Sequence, residues 1–173
     1  MQVVNIVATV KLEKSFDLKE LLAKLPSSER IKMGVRVYIP SLDRNIIFYK
    51  SGKFLVRGVK SENETKYFAN EVSNFLALNS VNNSIKKIKY NNYVLTGKLD
   101  FEVDLNNLIF ELKDFNATYD PEQYHSLYYK DKNNITYILF GSGKFILVGV
   151  KSLNNLEEHV NEFKNLIREK SNI

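Results

Sequence analysis

Two kinds of hydrophobic spacing divide this chain into strands and helices. Val3–Leu12 alternates with a period of two, which is typical of a strand with one buried face. In Asp17–Leu25 the leucines recur at steps of three and four, which is typical of a helix. Asp17 with Glu20 favours a capped helix start, and Pro26 favours the helix end. A strand followed by a short helix is therefore predicted for the first segment.

The elements then continue in an order that occurs twice. Further strands are predicted at Val35–Ile39, Asn45–Tyr49 and Phe54–Val59, and Gly52 supplies a positive φ at a turn between them. A long helix follows, opened by the capping pair Ser61 and Glu64. The second copy comprises a strand at Asn92–Leu99, a helix at Leu105–Leu112, three strands within Ser126–Val150 and a helix from Ser152.

The residues repeat together with the elements. Ser51–Ser61 returns as Ser142–Ser152 with eight of eleven positions identical, and Val4–Leu12 aligns with Asn91–Leu99. We therefore expect two pseudo-symmetric repeats, 1–84 and 85–173, joined by a polar hinge at Asn79–Ser84. Because each repeat alone is small for independent burial, the two are predicted to share one continuous antiparallel sheet. Helices cover one face of this α+β fold, so the opposite face is left open for a partner.

Composition narrows the chemistry. A net charge of +5 and a pI near 9.2 favour a polyanionic partner, although a Lys-rich, Asn-rich chain can also reflect codon bias. The absence of cysteine excludes disulfides and thiolate chemistry. His125 and His159 are isolated, the Ser-Gly-Lys segments lack Walker spacing, and no acid–base pair is evident. We expect neither an enzyme nor a cofactor.

Targeting signals are not evident. No apolar run approaches the ~20 residues that span a bilayer, and no basic-then-apolar signal segment opens the chain. The expected location is intracellular and DNA-associated.

Four motifs together resemble the TATA-box-binding protein family of transcription initiation factors. They are Asn5–Val10, the Tyr119–Tyr124 loop, the turn at Ile138–Lys144 and the doubled Ser-Gly-Lys segment. The match runs over almost the whole chain. It implies one curved antiparallel sheet shaped as a saddle, with helices on its convex face. It also implies binding to AT-rich promoter DNA in the minor groove and bending by aromatic wedges, and this family is itself a standard example of such wedging.

The resemblance, together with strand alternation, places a set of residues on DNA. Asparagine amides donate to central base pairs, apolar side chains contact sugars and base edges, and lysines contact phosphates. The residues are Asn5, Val7, Thr9, Ile47, Tyr49, Lys53, Leu55, Arg57, Asn92, Val94, Thr96, Tyr124, Lys130, Ile138, Phe140, Lys144, Ile146 and Val148. The alternative is that the open face is buried against another sheet or a partner protein.

The repeats differ at the wedges. The second keeps an aromatic pair, Tyr124 and Phe140, whereas the first keeps Tyr49 and has Lys32 near the other wedge position. The Ser27–Met33 stretch is three residues shorter than the family pattern. A family threonine becomes Arg57 in one repeat and Val148 in the other, with a solvated edge charge as the alternative for Arg57. We expect the first repeat to grip DNA more electrostatically and bend it less.

The resemblance also implies partners. In this family the second wedge loop docks transcription factor B through acidic residues, here Asp120 and Glu122, and RNA polymerase follows indirectly. A homodimer through the open face is possible without DNA. Lys86, Lys87 and Lys89 either neutralise phosphates or form a solvated linker. The remaining alternative is a specialised paralogue, or a nucleic-acid or protein-interaction module with the same fold and weak promoter selectivity.

Overall fold

The computed structural model describes residues 1–172. Its strands are β1 (Gln2–Leu12), β2 (Ser28–Ile31), β3 (Gly34–Ile39), β4 (Arg44–Tyr49), β5 (Lys53–Val59), β6 (Ile85–Lys98), β7 (Ala117–Thr118), β8 (Ser126–Lys130), β9 (Thr136–Phe140) and β10 (Lys144–Val150). Its helices are α1 (Leu18–Lys24), α2 (Glu62–Leu78), α3 (Leu105–Glu111) and α4 (Leu156–Lys170). The strands form one open antiparallel sheet in the order β2-β3-β4-β5-β1-β6-β10-β9-β8-β7. The predicted α+β sheet architecture is confirmed.

The chain packs as two compact units. The first unit is Asn5–Asn91, and the second unit comprises Met1–Val4 together with the residues from Asn92 onward. Lys86, Lys87 and Lys89 lie in β6, which belongs to the first unit up to Asn91. Lys86 forms an exposed ion pair with Glu13 at 3.4 Å, so this segment is a strand and not a linker.

In the first unit, alternate strand residues bury one sheet face against helices. Phe48 and Phe54 are fully buried and meet edge-to-face, with ring centroids 5.9 Å apart. Phe16 packs on Phe48 in the same way at 5.5 Å. Helix α2 adds Phe68 and Val72 to the buried set. Each such aromatic pair contributes about 0.5–1.5 kcal/mol beyond its area burial.

The second unit builds its core with a different aromatic stack. Phe163 of α4 stacks on Tyr137 of β9 with centroids 4.1 Å apart and meets Phe145 of β10 edge-on at 5.3 Å. The buried Tyr137 hydroxyl donates to the His159 carbonyl at 3.1 Å, which satisfies its polar end. Burial raises the pKa of the Tyr137 hydroxyl well above its ordinary value. Helix α4 is thereby fixed on the same sheet face that α2 covers in the first unit.

The helix starts agree with the sequence in part. The Ser61 hydroxyl accepts from the Glu64 amide at 3.0 Å, so the predicted cap of α2 is confirmed. Asp17 caps α1 through the Lys19 amide, but Glu20 pairs with Lys24 at 2.6 Å and does not complete a capping box.

The predicted start of the last helix at Ser152 is wrong, because Ser152 accepts from the Asn154 amide in a local turn. The residue before α4, Asn155, is left-handed at φ 57° and provides no side-chain cap. Helix α4 therefore begins only at Leu156.

Two short strands were not predicted. β2 pairs with β3 from Ser28 to Ile31, and β7 pairs with β8 at Ala117 and Thr118. Neither segment shows a run of alternating apolar residues, because each lies at the end of its unit's strand order and buries little side chain. Residues 28–31 therefore form a paired strand, where the sequence indicated only a loop.

Candidate nucleic-acid interface

Each unit has a sheet face that its helices leave uncovered, here called the open face. In the first unit it carries Val7, Thr9, Ile47, Tyr49 and Leu55, which are half-buried, while their strand neighbours are fully buried. In the second unit it carries Val94, Thr96, Ile138, Phe140, Ile146 and Val148, with the same alternation. The ladder confirms the shared face, since Thr9 is opposite Leu55 and Ile146 is opposite both Thr96 and Ile138.

One asparagine in each unit is held by a glycine at a break in the strand register. The Asn5 Oδ1 accepts from the Gly58 amide at 2.8 Å, and the Asn92 Oδ1 accepts from the Gly149 amide at 2.9 Å. Gly58 and Gly149 have φ values of 75° and 86°, a conformation that glycine adopts without strain. With its oxygen bound in this way, each amide directs its Nδ2 donor away from the glycine. The two units thus present the same donor from the same backbone irregularity.

Lysines are paired across the strands at the outer ends of both open faces. Lys11 is opposite Lys53 in the first unit, and Lys98 is opposite Lys144 in the second. Like charges directly opposite each other destabilise a sheet. Their occurrence at equivalent positions in both units indicates a requirement for positive charge. The sequence analysis identified Lys53 and Lys144 but missed Lys11 and Lys98, although their matching spacing after Thr9 and Thr96 was a usable signal.

The second unit exposes an aromatic pair at the edge of its open face. Phe140 is opposite Ser126 in the β8–β9 ladder and borders an apolar depression of about 690 Å³ with Thr96, Lys144 and Ile146. Tyr124 is 57% exposed and meets the Tyr128 ring edge-on at 6.1 Å. Tyr128 is opposite Ile138 and therefore shares the open face, which sequence reasoning missed. These rings are placed to contact a flat apolar partner.

The equivalent region of the first unit is a tight hairpin. Tyr49 is opposite Gly34, and the turn between β2 and β3 contains only Lys32 and Met33. Lys32 precedes Gly34 by two residues, just as Tyr124 precedes Ser126, so the ladder aligns Lys32 with Tyr124. Arg30 closes the hairpin by donating to the Gly34 carbonyl at 2.7 Å. Met33 is 62% exposed at the tip, and no aromatic ring occupies this turn.

Arg57 distinguishes the first unit further. It is opposite Val7 in the β1–β5 ladder, which places this exposed residue on the open face. Its carbonyl accepts from Arg44 Nη1 at 2.7 Å, and that guanidinium also lies over the Phe68 ring. Among residues 1–172, β4 and β5 are in ladder register only at Tyr49 and Lys53, whereas β9 and β10 pair at four positions. A cavity of about 70 Å³ lies beside Arg57.

Three further polar residues of the first unit were missed. Asn91 donates from Nδ2 to the Thr9 hydroxyl at 2.6 Å. Arg36 forms an exposed ion pair with Glu29 at 3.3 Å. The Tyr38 hydroxyl donates to the Asp43 carboxylate at 2.6 Å, and this hydrogen bond raises the pKa of Tyr38. Alternation with buried Val35, Val37 and Ile39 was a signal for the last pair.

The acidic loop of the second unit is exposed. Asp120 and Glu122 both face solvent, and the Asp120 side chain accepts from the Glu122 amide at 3.1 Å. Tyr124 closes the turn by donating its amide to the Asp120 carbonyl at 2.8 Å. His125 is exposed beside it, and Lys130 lies at the end of β8 with its side chain exposed. The loop therefore presents two carboxyl groups next to an aromatic ring.

Neither a metal cluster nor a membrane span occurs in the part of the chain that the structure describes. Residues 1–172 contain no group of three or more His, Asp or Glu side chains placed to hold a metal ion. None of the helices within these residues is long and apolar enough to cross a bilayer.

Comparisons with known proteins agree with this geometry. Residues 1–78 and 87–170 match the family model described as transcription factor TFIID, or TATA-binding protein. The TATA-box-binding protein of Pyrobaculum calidifontis is 29% identical over 170 residues, covering 95% of this chain and 84% of that protein. That of Pyrodictium occultum is 30% identical over 172 residues, covering 96% and 83%. The solved Methanococcus jannaschii TBP has a TM-score of 0.83 at 24% identity, covering 97% of this chain and 98% of that one.

Proposed function

The chain belongs to the TATA-binding protein family, and we propose that it binds the minor groove of AT-rich promoter DNA through the open faces of both units. The family comprises DNA-binding general transcription initiation factors, not enzymes. On this proposal the protein bends promoter DNA by aromatic wedging and recruits transcription factor B, with RNA polymerase following indirectly.

The observation that carries the proposal is the pair of asparagine donors on apolar surfaces. In the minor groove an A·T pair offers only acceptors, at adenine N3 and thymine O2, and guanine adds an amino donor. A surface that reads this groove therefore needs apolar contacts and a few outward donors. The Nδ2 groups of Asn5 and Asn92 provide such donors because their oxygens are bound to Gly58 and Gly149.

The cross-strand lysine pairs supply the sequence-independent part of binding. Ammonium groups at Lys11, Lys53, Lys98 and Lys144 are placed at the outer ends of the open faces, where a duplex in contact with those faces presents phosphates. Such contacts fix position and make affinity fall with salt, with a slope of about 0.9 per phosphate neutralised. Placing two like charges opposite each other costs stability, and that cost is explained if phosphates neutralise them.

Binding to matched duplexes at several salt concentrations tests the proposal. We expect the affinity for an A·T-rich core to exceed that for a G·C-rich core of equal length by at least about 10³-fold. Lys53→Gln and Lys144→Gln should each reduce the salt slope by about one without changing that ratio. An A·T to G·C ratio near one would contradict the proposal.

Docking of transcription factor B is the second part of the proposal. It is supported by the exposed carboxylates of Asp120 and Glu122 beside the aromatic pair. In a supershift assay on A·T-rich DNA, D120N/E122Q should lose most of the transcription factor B shift and keep DNA binding. Glu71→Gln, on α2 of the other unit, is the matched control and should leave the shift unchanged.

A second candidate function follows from the first unit. Its two-residue turn at Lys32 and Met33 lacks the second wedge, as expected of a specialised paralogue or an interaction module with weak promoter selectivity. Such a protein would bind both duplexes of the salt titration alike. Without DNA, the apolar open faces favour self-association. Sedimentation should then show a homodimer that dissociates when A·T-rich duplex is added.

A further inference from the structure

We infer that the chain binds an A·T-rich duplex in one preferred orientation, because the first unit carries hydrogen-bond donors that reject the guanine amino group and the second unit lacks them. The donors are the Thr9 hydroxyl, oriented by Asn91, and the Arg57 guanidinium. The inference rests on the proposed function, since it concerns which half of the binding site each unit contacts.

Asn91 determines what the Thr9 hydroxyl offers to a partner. Its Nδ2 donates to the Thr9 Oγ1 at 2.6 Å. A threonine hydroxyl has one hydrogen to donate and two lone pairs that accept. Because Asn91 occupies the accepting side, the hydroxyl hydrogen turns away from Asn91. Thr9 lies on the open face opposite Leu55, so it presents a directed donor among apolar neighbours.

Arg57 adds donors beside the first. Its guanidinium has five N–H groups and no acceptor, and it stays charged throughout the accessible pH range. Among residues 1–172 it has no ion pair, so its charge is available to a partner. Arg57 is opposite Val7 and is followed by Gly58, which holds Asn5. Three donors therefore lie close together on this unit.

The second unit differs at each equivalent position. Val148 replaces Arg57, and Val4 aligns with Asn91 in the repeat. Within the described residues no hydrogen bond orients the Thr96 hydroxyl, so Thr96 can either donate or accept. A guanine amino group facing Thr9 and Arg57 meets donors only and is left unpaired, whereas Thr96 can accept from it. A G·C-like pair is therefore penalised mainly under the first unit.

An orientation measurement with a modified duplex tests the inference. In a self-complementary A·T core, the adenines of one half are replaced by 2,6-diaminopurine, which adds the minor-groove amino group of guanine to an A·T pair. The chain has no cysteine, so Ser51→Cys or Ser142→Cys gives a single site for a fluorophore. These exposed serines occupy equivalent turns of the two units. Energy transfer to a dye at one DNA end reports which unit faces that end.

We expect the first unit to occupy the unmodified half, with an orientation ratio of at least about tenfold, the scale of one good base-edge contact. Arg57→Val and Thr9→Val should each lower the ratio, and Thr9→Ser should retain it. Asn91→Asp should lower it too, because a carboxylate accepts the Thr9 hydrogen. The matched control Thr96→Val should leave it unchanged.

The outcomes separate the two proposals. A·T-selective binding with equal or reversed orientations would overturn the orientation inference alone. Equal binding to A·T-rich and G·C-rich duplexes would overturn the proposed function together with it. An unchanged ratio in both Arg57→Val and Thr9→Val, each with wild-type circular dichroism, would also overturn the inference.

Discussion

Asn5 and Asn92 show how a residue on an exposed surface acquires a fixed role. An asparagine amide has an acceptor end and a donor end, and either can face a partner. Here the amides of Gly58 and Gly149 bind the acceptor ends, so only the donor ends remain for the groove. The sequence predicted both asparagines from repetition and alternation. It did not predict the glycine contacts, because those depend on register shifts between paired strands.

Replacing either asparagine with aspartate tests this arrangement. Asn5→Asp and Asn92→Asp keep an oxygen for the glycine amide but replace the outward donor with an acceptor. Each should lower affinity for A·T-rich duplex at least about tenfold, because a base acceptor then faces a carboxylate oxygen. Asn63→Asp on α2 makes the same charge change away from the open faces and should have little effect. Similar losses in all three variants, measured by fluorescence anisotropy, would contradict the role assigned to the amides.

Among the structural elements, the strand irregularities at the two glycines are decisive. A side chain at either position meets the left-handed φ penalty of about 1–2 kcal/mol. A Cβ at Gly149 would also lie 3.0 Å from the Asn134 carbonyl oxygen, whereas at Gly58 it would meet the movable end of Arg44 at 2.7 Å. The two positions are therefore equivalent in conformation but not in surroundings.

Alanine substitution should expose that difference. Gly58→Ala and Gly149→Ala should each lower the free energy of unfolding by about 1–2 kcal/mol, with Gly149→Ala the larger because backbone cannot move aside easily. Gly141→Ala, whose Cβ would make an ordinary 3.4 Å contact, should change stability little. Denaturant unfolding measures all three. A loss at Gly141 equal to the other two would contradict the argument.

The wedge elements also differ between the units. The second unit has Tyr124 and Phe140 at one edge, whereas the first has Tyr49 beside a two-residue turn. The Tyr hydroxyl must stay hydrated or find a partner, so it is a poorer wedge than Phe. Inserting apolar side chains between base steps is what kinks a duplex toward the major groove.

Energy transfer between the two ends of a bound duplex should show this asymmetry. Phe140→Ala should reduce the bend by more than Tyr49→Ala does, at DNA concentrations that saturate both variants. The wild-type bend should then arise mainly under the second unit. Equal reductions in the two variants would indicate two equal kinks and would contradict the account.

For the whole molecule, duplication made most of the fold predictable. Ser51–Ser61 and Ser142–Ser152 fixed the equivalence of the two repeats, and alternation within the strands identified the open faces. β2 and β7 escaped prediction because they bury too few side chains to show a period. Lys11, Lys98 and Asn91 escaped because their roles come from pairing across strands, which one chain segment does not reveal.

The central claim is that both units read the minor groove. Inosine·cytosine pairs lack the guanine amino group, so their minor groove resembles that of A·T while their major groove resembles that of G·C. The decisive measurement is the affinity for three duplexes of equal length, with A·T, I·C and G·C cores, at one salt concentration. The account predicts that the I·C core binds within about tenfold of the A·T core and far more tightly than the G·C core. An I·C affinity equal to that of the G·C core would contradict it.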